Sequence, residues 1–278
     1  MNVMFEQPVS YGVGLRRSSA LELYRSVFID HTDRHLGQRD VKPNILHHGI
    51  TPRLPAPCRP RSRCASKSVN RNHPIYRLTA KQAEVAATFG IRSPYEPDET
   101  FPVGDVFPTG KKTPFYGAVI VQDGADRKIE RMEWGVPTQV PSKRDPSAKL
   151  TKYVTNVRNL SSSFWRSMLT TPARRCLVPL TAFSEYGSAP GEDGKKPLHW
   201  FDLPSRPIFA FAGIWRPTER GNAYGFLTTE PNAIVAPVHP KAMPVILHDD
   251  DYDRWLSAPW DDLKDVVAPY PSQLMRVE

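Results

Sequence analysis

Twenty-nine prolines spread through 278 residues cut this chain into short stretches and leave little room for long helices. The 16 glycines add turns, so the fold must be assembled from short elements. The longest strongly apolar run, residues 208–215, is far too short to cross a bilayer. Glu6 and the polar residues after it interrupt any apolar signal-peptide core. Hydrophobic residues make up 40% of the chain, enough to bury a sizeable core. The expectation is a cytoplasmic monomer that makes no use of a membrane.

The net charge of +8 points towards nucleic acid, but its position matters. Residues 1–72 hold twelve Lys and Arg against five Asp and Glu, which leaves 25 against 24 for the remainder. The excess therefore belongs to the first 72 residues, whose stretch 51–64 is rich in Pro and Arg and reads as a disordered basic leader. Residues 21–28 are its one candidate helix. Residues 73–278 read as the folded domain. Cys58, Cys64 and Cys176 are too few and too irregular for a disulfide framework. His31 and His35 with Cys58 and Cys64 fit no zinc spacing, and neither a metal nor a cofactor is expected.

Order is expected from about Ile75. Thr79-Ala-Lys-Gln82 has capping-box form, and predicts a helix with Ala83, Ala86, Ala87 and Phe89 on its apolar face and Gly90 at its end. Residues 115–121 and 128–136 read as strands around an Asp123-Gly124 turn, followed by a polar loop and a short helix over 161–169. Further strands are expected at 175–178, 182–186, 198–203, 208–215, 224–229 and 245–247, with a helix over 251–256. Many strands, few helices and no regular βαβ alternation predict an α+β fold, compact, β-rich and mostly antiparallel.

From about residue 75 to 255 seven short motifs fall in a telling order. They are Met132-Glu-Trp-Gly-Val-Pro137, Asn156-Val-Arg158, Arg174-Arg-Cys-Leu-Val-Pro179, Ala182-Phe-Ser-Glu-Tyr186, Phe211-Ala-Gly-Ile-Trp215, Leu227-Thr-Thr-Glu230 and Val238-His-Pro-Lys-Ala-Met-Pro-Val-Ile-Leu247. In this order they resemble the SOS-response-associated peptidase family. The resemblance implies a compact β-rich domain with a basic cleft for single-stranded DNA carrying abasic sites. It also implies covalent chemistry. Family members expose a cysteine as their first residue; its α-amine condenses with the sugar aldehyde and its thiol closes a thiazolidine. That reaction needs the amine and the soft nucleophile on one carbon.

By the same resemblance Glu185 and His239 match the catalytic pair, and Asn156 an asparagine that orders the site. A carboxyl whose pKa is raised by burial can move protons during amine addition and water loss. An imidazole can protonate the sugar ring oxygen on opening, and an amide orients without adding charge beside a phosphate. Arg158, two residues from Asn156 on extended chain, faces the same way and suits a phosphate contact. Trp134 is a candidate to stack on an unpaired base. Lys241 stands near the place of a family arginine, in a His-Pro-Lys-Ala-Met-Pro spacing one residue longer than the commoner form.

The nucleophile is where the chain departs from the pattern. His73 falls where the cysteine belongs, Pro74 follows it, and no Met-Cys pair occurs in the sequence. An internal histidine supplies neither an α-amine nor a thiol. Three readings stay open: residual Schiff-base chemistry, a binding module without covalent chemistry, and a hydrolase built on Ser184 beside Glu185 with His239.

Overall fold

In the computed structural model the described residues are 75–92, 100–110 and 113–278. The expectations for the leader, for residues 21–28, for His31, His35, Cys58 and Cys64, and for His73 lie outside them. The chain opens with β1 (Tyr76–Leu78) and α1 (Gln82–Thr88), then β2 (Gly104–Val106), β3 (Tyr116–Asp123) and β4 (Asp126–Trp134). Next come β5 (Val136–Pro141), β6 (Lys149–Val154), β7 (Asn156–Val157) and α2 (Ser163–Thr170). The strands β8 (Arg175–Leu180), β9 (Ala182–Tyr186), β10 (Leu198–Asp202), β11 (Phe209–Thr218), β12 (Gly221–Thr229) and β13 (Met243–Pro244) follow. Finally α3 (Tyr252–Ser257) and β14 (Arg276–Val277) complete it. The α+β, mostly antiparallel expectation holds. Among the described residues no helix is long and apolar enough to cross a membrane.

One sheet closes on itself. Strands β11, β8, β3, β4 and β12 pair in that order, and β12 pairs back onto β11. Closure brings β12 parallel to β4 and to β7, the parallel exceptions in an otherwise antiparallel network. The second sheet runs β14-β10-β9-β1-β2. Side chains alternate across a strand. Ala118, Ile120, Leu177, Ala210 and Ala212 therefore face one core, shared with residues of all three helices, while Val119, Val121, Cys176, Val178 and Phe211 face another. Because both faces of these strands are buried, they read as unbroken apolar runs and not as apolar–polar alternation.

Two details differ from the sequence reading. The first helix starts later than the Thr79 signal: the Lys81 amide donates to the Glu84 carboxylate at 2.6 Å, and Thr79 instead donates its hydroxyl to Thr181 at 3.2 Å. Glu84, three residues after Lys81, plays the part assigned to Gln82. The supposed polar loop after residue 136 contains a hairpin, β5 paired with β6 from Val136↔Val154 to Pro141↔Lys149. Its polar residues hid the signal because most of the hairpin stands clear of both cores and has no apolar face to bury.

Candidate functional site

The site forms where β1, β7, β9 and the end of β13 meet. The backbone at Ile75 is pinned to β9: the Ser184 amide donates to the Ile75 carbonyl at 2.9 Å, and the Ser184 hydroxyl donates to the same carbonyl at 3.0 Å. The Ile75 amide donates back to the Ser184 oxygen at 3.3 Å. Ser184 is thus fully engaged and 1% exposed, which removes the serine-hydrolase constellation. Directly after it in β9, Glu185 lines a narrow crevice of about 10 Å3 that opens to solvent. Ile75, Trp134, Asn156 and Pro244 share that lining.

The loop following β12 delivers the histidine. Asn232 accepts from the Ile234 and Val235 amides at 3.2 and 3.1 Å and donates to the Tyr270 carbonyl at 2.6 Å. The Val235 carbonyl in turn accepts from the His239 amide at 2.8 Å. This frame holds His239 Nδ1 at 3.6 Å from a Glu185 oxygen. That is too long for a hydrogen bond. Burial pushes the Glu185 carboxyl up to about 8. Burial also lowers the His239 pKa, helped by the positive charges of Lys241, Arg158 and Lys196. Near neutral pH the two groups therefore face each other as an uncharged acid and an uncharged base, not as an ion pair.

Sequence reading had named Glu185, His239, Asn156, Arg158 and Lys241, and the fold gathers all five. Asn156 and Glu185 line the same crevice. Arg158, half exposed, is engaged: it donates to Glu230 at 2.8 Å and to the carbonyl of Lys241. A phosphate would have to share it with Glu230. Lys241 is exposed on the same rim. Trp134 needs correction as a stacking surface. It is 1% exposed, stacked on Phe226 at 5.4 Å and edge-on to Tyr76 at 5.2 Å, because β4 turns it into the inner core beneath the crevice. A base needs an open ring face, and this one is covered.

Sequence reading missed Lys196, which lies beside Pro197 where β10 approaches Gly187, whose amide donates to Pro197 at 2.8 Å. It sits in a run of Gly, Asp and Lys that resembles any solvated turn, so no local signal marks it. The Tyr76 and Tyr224 hydroxyls, hydrogen-bonded to each other in the core, were also missed. Among the described residues no cluster of His, Cys, Asp and Glu is arranged to hold a metal.

Residues 75–278 match the model of the SOS response associated peptidase (SRAP) family. Among solved structures, a protein from Bacteroides thetaiotaomicron is similar at 20% identity and TM-score 0.53, over 73% of this chain and 90% of that one. A protein from Bordetella bronchiseptica is similar at 23% identity and TM-score 0.55, over 74% and 98%. A phage-related protein from the same organism gives 14% identity and TM-score 0.53, over 74% and 93%. At such identities these likenesses speak for the fold alone. No curated protein matches the chain.

Proposed function

Because the chain belongs to the SOS-response-associated peptidase family, we propose that its crevice receives the sugar of an abasic site in single-stranded DNA. The observation that carries this reading is the Glu185–His239 pair: an uncharged acid that lines the crevice with Asn156 and stands 3.6 Å from an uncharged imidazole. Two titratable groups with opposed shifts divide acid and base work between them. Here the division puts the proton donor at Glu185 and the acceptor at His239. Asn156 orients the sugar without adding charge, and Arg158 with Lys241 supplies positive charge for the flanking phosphates.

In this reading the protein binds the lesion without trapping it permanently. A thiazolidine needs an α-amine and a thiol on one carbon, and His73 provides neither. Ile75 is tied to Ser184, the neighbour of Glu185, so position 73 lies only two residues from the anchored chain at the crevice. The test is a gel comparing abasic with intact single-stranded DNA. A native-gel shift that favours the abasic strand, with no heat-stable band after denaturation, is expected. Equal affinity for the two strands would remove the abasic reading. A heat-stable band would show that another nucleophile replaces the cysteine.

A further inference from the structure

Beyond residue 72 the positive and negative charges nearly cancel, yet they are not evenly mixed. Many basic side chains of the domain are in ion pairs, among them Arg77, Arg127, Arg206, Arg254 and Arg276. The β5–β6 hairpin is different. Lys143 and Arg144 lie in its turn and Lys149 and Lys152 on its returning strand, all four exposed. Among the described residues none of the four forms an ion pair. The hairpin's one carboxylate, Asp145, is used inside the turn, where it accepts from the Ser147 amide at 3.0 Å and hydroxyl at 2.6 Å. Those bonds lower its pKa from the ordinary carboxylate value, and Asp145 forms no ion pair with the four cations.

The hairpin is anchored at its root and closed at its tip. At its root Val136 is fully buried, and the Gly135 amide donates to the Tyr224 carbonyl at 2.9 Å. At its tip the Ser142 amide donates to Ala148 at 2.9 Å. The four cations thus stand on an ordered arm. Cross-strand partners Val140 and Leu150 add apolar surface among them, Leu150 being 44% exposed. The returning strand runs directly into the site: Lys152 precedes Asn156 by four residues, at most about 14 Å of extended chain.

We propose that the β5–β6 hairpin is the arm that grips the phosphate backbone of the strand whose sugar enters the crevice. The proposal rests on the single-stranded DNA reading above and assigns the path of the strand, from the hairpin past Asn156 to Arg158. Four unpaired like charges on one hairpin call for a polyanion, and apolar side chains on the same hairpin suit one that also carries bases. The arm contacts backbone, so it adds affinity for any sequence and does not distinguish an abasic site from an intact one.

The test compares the native protein with a variant carrying Lys143→Gln, Arg144→Gln, Lys149→Gln and Lys152→Gln. A control carries Lys81→Gln, Arg92→Gln, Arg166→Gln and Lys264→Gln at exposed positions elsewhere. Circular dichroism first checks that all three fold alike. Affinity for abasic and intact oligonucleotides is then measured by fluorescence anisotropy across a salt series. Each single-strand phosphate contact contributes about 0.7 to the log–log slope. The hairpin variant should therefore flatten the slope by roughly 2 to 3, the control by less than about 1, with the abasic-to-intact ratio unchanged. Equal slopes in native protein and hairpin variant, or equal flattening in hairpin variant and control, overturn the arm. If the abasic preference persists in that case, the crevice reading stands without it. If the hairpin variant flattens the slope but the native protein shows no abasic preference, the arm stands and the crevice reading falls. A native protein that binds anionic vesicles but neither oligonucleotide refutes both.

Discussion

At Glu185 a carboxyl group is 7% exposed, and its ordinary pKa of 4.5 rises to about 8 because burial penalises the charged form. Between those values the unfolded chain releases a proton that the folded chain keeps, so this residue lowers stability as pH rises through that window. Glu185→Gln removes the titration. Thermal denaturation at pH 5 and pH 8 should show the variant gaining on the native protein at the higher pH; a constant difference would mean that the carboxyl is already ionised in the fold. Arg158 gives a second residue-scale expectation. Its pair with Glu230 joins two well-exposed side chains and contributes on the order of 0–1 kcal/mol. Arg158→Ala should therefore leave thermal stability nearly unchanged while flattening the salt dependence of single-stranded DNA binding by up to about one log–log unit. An unchanged slope would leave Arg158 with no phosphate contact.

Among the elements, β3 is the most tightly constrained. A Cβ at Gly117 would lie 2.1 Å from both the Tyr76 and the Tyr224 hydroxyl oxygens, inside the core beneath the site. Gly117→Ala should cost about 3 kcal/mol or more, since neither ring has room to retreat. Urea denaturation measures this, and a loss below about 1 kcal/mol would show that the tyrosine pair relaxes easily. Most strands were legible because β3, β8, β11 and β12 carry apolar residues without interruption. The hairpin of β5 and β6 was not legible: its strands are rich in Pro, Lys and Thr, and cross-strand pairing, not burial, defines it. Strands β1, β2, β7 and β14 span only two or three residues each. No periodicity can show in so few positions. The series was expected to close on a strand over 245–247; the paired strand is instead β13, with Ile246 making a lone bridge to Phe211.

For the whole molecule, we propose that residues 73–278 fold on their own, as expected from the charge boundary near residue 72. A chain in which Met-Cys replaces residues 1–73 should then keep the fold, lose its Met, and place an amine and a thiol two residues before the Ile75 anchor. It is expected to form a heat-stable crosslink with abasic DNA. Adding Glu185→Ala or His239→Ala should slow crosslinking far more than it weakens binding, because both groups move protons. If that chain folds and binds but never crosslinks, the remaining site is inert as well. Sequence alone determined the strand-rich class and the family motifs, and singled out Glu185, His239 and Asn156 as candidates, because these are carried by local pattern and residue type. It could not determine which charges are free, whether Trp134 is covered, or how far Glu185 is removed from water. Those properties depend on which distant segments pack together, and only the tertiary structure fixes that: β12 closing onto β11, Ile75 bonding to Ser184, and the loop at Asn232 bringing His239 to a carboxyl 54 residues earlier in the chain.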